Sequence, residues 1–143
     1  MLGLYHYVPY LYYVIKRDNM RIQNKVTRKG AQIESFIVGK NPFRLSEYII
    51  VNFKRETKGC PSPYTVEILT SEKIGEDMDW SNNRPTHWTG YQMKLIEAAG
   101  GKTRSYGHIV WEAGFKTYHD ASVRLKEALQ LGKRLIKQPE FLH

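Results

Sequence analysis

Residues 20–38 read MRIQNKVTRKGAQIESFIV. Met20, Ile22, Asn24 and Val26 alternate with Arg21, Gln23, Lys25 and Thr27, a period of two that sets one group on each face of a strand. Arg28-Lys29-Gly30 supplies turn chemistry, and residues 33–38 return as an apolar run that ends at the turn-forming residues 39–42. The stretch predicts a hairpin with one polar, basic face.

Strand patterns continue on both sides of this hairpin. Residues 10–16 are aromatic and β-branched, and Arg17-Asp18-Asn19 follows as a turn. Residues 48–53 and 64–69 read as strands separated by a Gly- and Pro-containing loop over 59–63, and residues 107–115 as a later one. Short connections between consecutive strands favour antiparallel pairing.

Two helices are predicted. Thr86 is expected to cap a short one running to Ala99, with Trp88, Gln92, Leu95 and Ala99 near one face and Gly100-Gly101 as its end. Thr117 gives the clearest start signal in the chain. It precedes Ala121, Leu125, Ala128, Leu129, Gly132, Leu135 and Ile136, which recur at three and four. Asp120 stands at the capping-box position, and Asp120 with Arg124 forms a favourable i,i+4 pair. This helix should reach Lys137, before Pro139, with Lys126, Lys133, Arg134 and Lys137 turned outward. The expected fold is a single α+β domain over residues 1–143. Its antiparallel twisted sheet of five to six strands is covered on one side by two helices, the longer one C-terminal.

Composition narrows the class. The 143 residues are 41% hydrophobic and 25% charged, which excludes a disordered, collagenous or disulfide-stapled chain. The one cysteine, Cys60, cannot pair within the chain, so a reducing, cytoplasmic setting is expected. No apolar run approaches the length of a membrane helix, so no membrane partner is expected. Residues 1–15 are apolar and aromatic, but lack the basic start and small-residue cleavage pattern of a signal peptide.

Charge is the most informative global feature. The net charge is +8, distributed unevenly. Residues 1–60 hold eleven Lys and Arg against four Asp and Glu, residues 61–100 three against six, and residues 101–143 eight against four. The basic residues of the first sixty are interleaved with Tyr12, Tyr13, Phe43, Tyr48 and Phe53. Lys and Arg neutralise phosphates, and aromatic faces stack on unpaired bases. The leading expectation is a non-catalytic nucleic-acid-binding protein, DNA or RNA alike. It would contact phosphates through Arg17, Arg21, Lys25, Arg28, Lys29, Lys54, Arg55 and Lys58, and no cofactor is expected.

Two alternatives come from other classes. The cluster Glu76-Asp77-Met78-Asp79 could hold a divalent cation, with Asp77 and Asp79 as ligands and Glu67 and His87 as further ligand or base, which would make a metal-dependent nuclease. An EF-hand starting at Asp77 fails, because Asn82 and Trp88 stand where that loop needs Gly and Glu. Gly100-Gly101-Lys102-Thr103 lacks the earlier glycine and the strand-then-helix order of a phosphate-binding loop, and reads as a helix end. The other alternative is a viral or mobile-element accessory protein acting through protein contacts. There the aromatic N-terminal segment would meet a partner chain or a second copy.

Overall fold

The computed structural model describes residues 21–26, 30–56, 59, 61–71, 88–102 and 111–137. They form a five-stranded antiparallel sheet in simple chain order. The strands are β1 (Arg21–Val26), β2 (Gln32–Asn41), β3 (Arg44–Arg55), β4 (Tyr64–Ser71) and β5 (Trp111–Phe115). The described residues also form two helices, α1 (Gly90–Ala98) and α2 (Tyr118–Leu135). The α+β class, the antiparallel pairing and the long C-terminal helix agree with the sequence expectation. Strands β2 to β5 carry the described packing, and β1 adds the backbone of an edge strand.

Several boundaries differ from expectation. The strand expected over residues 10–16, the turn residues Arg28 and Lys29, and residues 107–110 lie outside the described residues. Strand β2 does not stop at Val38 but continues to Asn41, because a register shift between Ile37 and Gly39 absorbs one residue. The turn that follows is closed by Asn41, whose side-chain oxygen accepts from the Phe43 N–H at 3.1 Å.

Helix α1 starts at Thr89, not Thr86. The Thr89 hydroxyl accepts from the Gln92 N–H, and the Gln92 side-chain oxygen accepts from the Thr89 N–H, each at 3.2 Å. That reciprocal capping box satisfies two otherwise orphaned donors, which a cap at Thr86 would leave unmet. The helix ends as expected. Gly100 takes a positive φ of 82°, the Gly101 N–H reaches the Ile96 carbonyl, and the Gly100 N–H reaches that of Glu97.

Helix α2 starts at Thr117 as expected, with the Thr117 hydroxyl accepting from the Asp120 N–H at 3.2 Å. It ends at Leu135, capped by Ile136, two residues short of the expected Lys137. Arg124 pairs with Glu127 at 2.9 Å rather than with Asp120, and lays its guanidinium over the Trp111 ring at 4.3 Å. Trp111 lies on the sheet and Glu127 one helical turn onward, so this arrangement joins sheet to helix, which the expected pair would not do.

Both helices pack on one face of the sheet. Phe36, Val51, Val66 and Ile68 from the strands meet Ile96 of α1 and Leu125, Leu129 and Leu135 of α2 in one buried core. Helix α2 comes closest at Gly132, where an added Cβ would stand 3.0 Å from the Val38 side chain. At one end of this face Tyr118 packs edge to face on Phe53 and Tyr64, which lie tilted to each other, with ring centroids 5.6–6.1 Å apart. Burial pushes the Glu34 carboxyl up, and pushes the Tyr118 hydroxyl up with the Glu34 charge as a lesser cause. Glu34 as a whole residue is exposed, so its desolvation is partial.

The Gln92 amide joins three parts of the chain. Fully buried, it donates to the Asn41 side-chain oxygen at 3.0 Å and to the Leu135 carbonyl at 2.9 Å. Replacing it by leucine takes the buried donor away from the Leu135 carbonyl, leaves the Asn41 oxygen only its bond from the Phe43 N–H, and removes half of the capping box. Gln92→Leu should lower unfolding free energy by about 3 kcal/mol, read by urea denaturation. Glu34 gives a pH prediction. Its raised folded value means the folded state holds the proton more tightly, so stability declines as pH rises from the ordinary carboxyl value of 4.5 through the raised one. Glu34→Gln should therefore be more stable than wild type at pH 7, with the gap closing below pH 4.5.

Candidate nucleic-acid interface

The sheet face away from the helices carries the basic positions. Its residues follow from strand register, since directly opposed residues share a face. One cross-strand row reads Lys25, Ile33, Lys54, Thr65 and Gly114. The next reads Gln23, Ser35, Asn52, Glu67 and Glu112, and the third Arg21, Ile37, Ile50 and Leu69. Beyond the register shift, Lys40 opposes Tyr48, and its ammonium stands 5.7 Å from the Tyr48 ring centre.

Register thus brings Arg21, Lys25 and Lys54 to one face from two strands. Lys25 and Lys54 lie two strands apart, about 10 Å at backbone level, and Arg21 lies four residues along β1, about 13 Å away. Arg55 does not join them. It opposes Gln32 and Tyr64 on the helix-side face, with its guanidinium 5.8 Å from the Tyr64 ring centre. Consecutive residues of a strand alternate faces, so Lys54 and Arg55 cannot both point into one footprint. Arg17, Arg28, Lys29 and Lys58 lie outside the described residues. So do Asp77, Asp79 and His87 of the nuclease alternative and the aromatic N-terminal segment. Glu67, the remaining member of that alternative, is a half-buried residue of β4 on the basic face.

The centre of this face is not the solvated surface that the alternating pattern suggests. Ile50 and Asn52 are fully buried, and Ser35, Ile37 and Leu69 nearly so. A flat stacking platform across the middle of the sheet is therefore absent. Accessible side chains gather at the ends: Lys54 and Thr65 are half-buried, and Lys40 and Gly114 exposed. Lys54 also pairs with Glu56 at 2.8 Å, which fixes its ammonium at the end of β3.

The residues that sequence reasoning missed are polar ones inside apolar runs. Asn52 interrupts the run Tyr48–Phe53, and its side-chain oxygen accepts from the Ser35 hydroxyl at 2.8 Å. Its amide nitrogen has no hydrogen-bond partner among the described residues. A buried donor left unmet costs about 1–3 kcal/mol, so this amide is a departure from ordinary packing. An asparagine in the middle of a strand is the signal that marks it. Among the described residues no group of three His, Cys, Asp or Glu side chains is placed to hold a metal ion, and no helix is long and apolar enough to cross a membrane.

Comparison with protein-family models, curated proteins and solved structures finds no match to this chain. Lys54 is the basic residue of the footprint whose contacts are best defined. Its pairing with Glu56 is partly solvated, so Lys54→Ala should leave unfolding free energy within about 0.5 kcal/mol of wild type by urea denaturation.

Proposed function

We propose that this is a small, basic nucleic-acid-binding protein that contacts phosphates, without catalysis, through the sheet face opposite α1 and α2. The observation that carries the reading is the register, which puts Arg21, Lys25 and Lys54 on the same side of the sheet. The footprint runs about 13 Å along β1, roughly four axial phosphate steps of one nucleic-acid strand. The charge of +8 adds a long-range attraction to any polyanion. Burial at the centre of the face favours contact with the backbone of the nucleic acid over stacking on its bases. Arg17, Arg28, Lys29 and Lys58 belong to the proposal as further phosphate contacts from segments flanking these strands. On this reading the protein works in the reducing cytoplasm, a setting that its lone cysteine, Cys60, supports.

Fluorescence anisotropy with labelled single-stranded DNA, duplex DNA and RNA, across about 50–200 mM salt, tests the proposal. Wild type should bind with a steep loss of affinity as salt rises. The triple variant Arg21→Ala, Lys25→Ala, Lys54→Ala should weaken binding at least tenfold and flatten the log–log salt slope by about 2 to 3. Arg55→Ala, on the opposite face, should change binding much less. No binding of any of the three nucleic acids at about 50 mM salt would remove the proposal.

A further inference from the structure

The outer surface of α2 carries charge that the proposed interface does not use. Residues 116–137 hold six Lys and Arg against two acids. At 3.6 residues per turn, positions seven apart stack in rows along a helix. One row is His119, Lys126 and Lys133, and the row beside it is Val123, Gln130 and Lys137. Neither row holds an acid. Asp120 and Glu127 form a different row with Arg134, and Glu127 is paired with Arg124. The signs are sorted round the helix rather than mixed.

His119, Val123, Lys126, Gln130 and Lys137 are exposed, and Lys133 is half-buried. Leu125, Leu129 and Gly132, on the other side of the helix, are buried, so the two rows point away from the strands. Lys133 and Arg134, in the last turn, complement the helix dipole. Lys126 lies two turns earlier, so the dipole does not account for the row. The Lys137 N–H reaches the Arg134 carbonyl, which carries the turn on past the end of the helix. From Lys126 to Lys137 the lysines run about 16 Å, about five phosphate steps of one duplex strand. A solvent-exposed ion pair is weak, so a lysine that already touches a neighbour still turns to a phosphate.

We infer that α2 is a second nucleic-acid contact, so that one chain holds two duplex segments at once, one on the sheet face opposite the helices and one along Lys126, Lys133 and Lys137. The inference rests on the nucleic-acid reading above and gives it an activity, the bridging of duplexes. A helix about 10–12 Å across separates these lysines from the sheet. That exceeds the screening length of about 8–10 Å near physiological salt, so the two basic faces attract polyanions independently. Duplex DNA is stiff over about 150 bp and does not curl round one small domain to reach both faces. The α2 rows have fewer basic positions than the set proposed for the sheet face, which makes α2 the weaker contact.

The test uses the full chain and a duplex DNA of about 12 bp, about 40 Å long. Light scattering with duplex in excess, at about 50 mM salt, counts duplexes per chain. Wild type should hold two, and should retain a labelled duplex on beads that carry another. The triple variant Lys126→Gln, Lys133→Gln, Lys137→Gln should hold one. Its bead capture should fall at least about fivefold, while its single-duplex affinity by anisotropy stays within about threefold of wild type. Lys94→Gln, which removes an exposed cation of α1, should leave capture unchanged. The wild-type count needs no variant, so the test holds even if the substitutions disturb the fold. One duplex per wild-type chain, with single-duplex binding intact, overturns the inference and leaves the sheet-face reading standing. Equal capture by the triple variant overturns it too. So does a triple variant whose mass without DNA differs from wild type, which would make α2 a contact between copies of the chain. Absence of any duplex binding by wild type removes the nucleic-acid reading and this inference with it.

Discussion

The arrangement of the two helices depends on one buried amide. Gln92 binds Asn41 at the end of β2 and the last carbonyl turn of α2, while its backbone and oxygen complete the cap of α1. A group with no exposure has no water to fall back on, so each of these bonds must be made within the protein. Asn41 is available because the register shift in β2 carries the strand past Val38 to the turn. The same shift leaves Val38 against Gly132 and Gly39 against Ile136, so the irregular strand and the close approach of α2 belong to one solution.

The sheet is buried on two sides with different chemistry. The helix side is apolar and aromatic. The other side has an apolar end at Ile37, Ile50 and Leu69 and a polar row through Ser35 and Asn52. This difference guards the register. Sliding β3 by one residue would drive Asn52 into the helix-side core and expose Val51 and Phe53 in exchange, which a hydrophobic core does not tolerate. The cost of the Asn52 amide, half satisfied among the described residues, is set against that register specificity.

Basic positions on the sheet face opposite α1 and α2 lie near strand ends and on β1. Basic positions on an edge strand discourage pairing with another sheet. Glu67 stands one row from Lys54 on the same face, so acidic and basic positions neighbour each other there.

Local patterns in the chain were enough to read the α+β class, the hairpin of β1 and β2, strands β3 and β4, the Thr117 start of α2 and the glycine end of α1. Each depends on neighbours within a few residues: alternation for strands, three-and-four recurrence and a capping hydroxyl for helices, and a left-handed glycine for the helix end. Long-range contacts decided the rest. Thr89 rather than Thr86 caps α1 because its partner Gln92 is held by Asn41 and Leu135, far off along the chain. Arg124 turns to Trp111 because the sheet brings that ring beneath it. Arg55 parts from Lys54 because strand alternation is local, but which face the helices cover is not. The polar row exists only once four neighbouring pairings align Gln23, Ser35, Asn52, Glu67 and Glu112, and pairing between strands is a property of the assembled sheet rather than of any one segment.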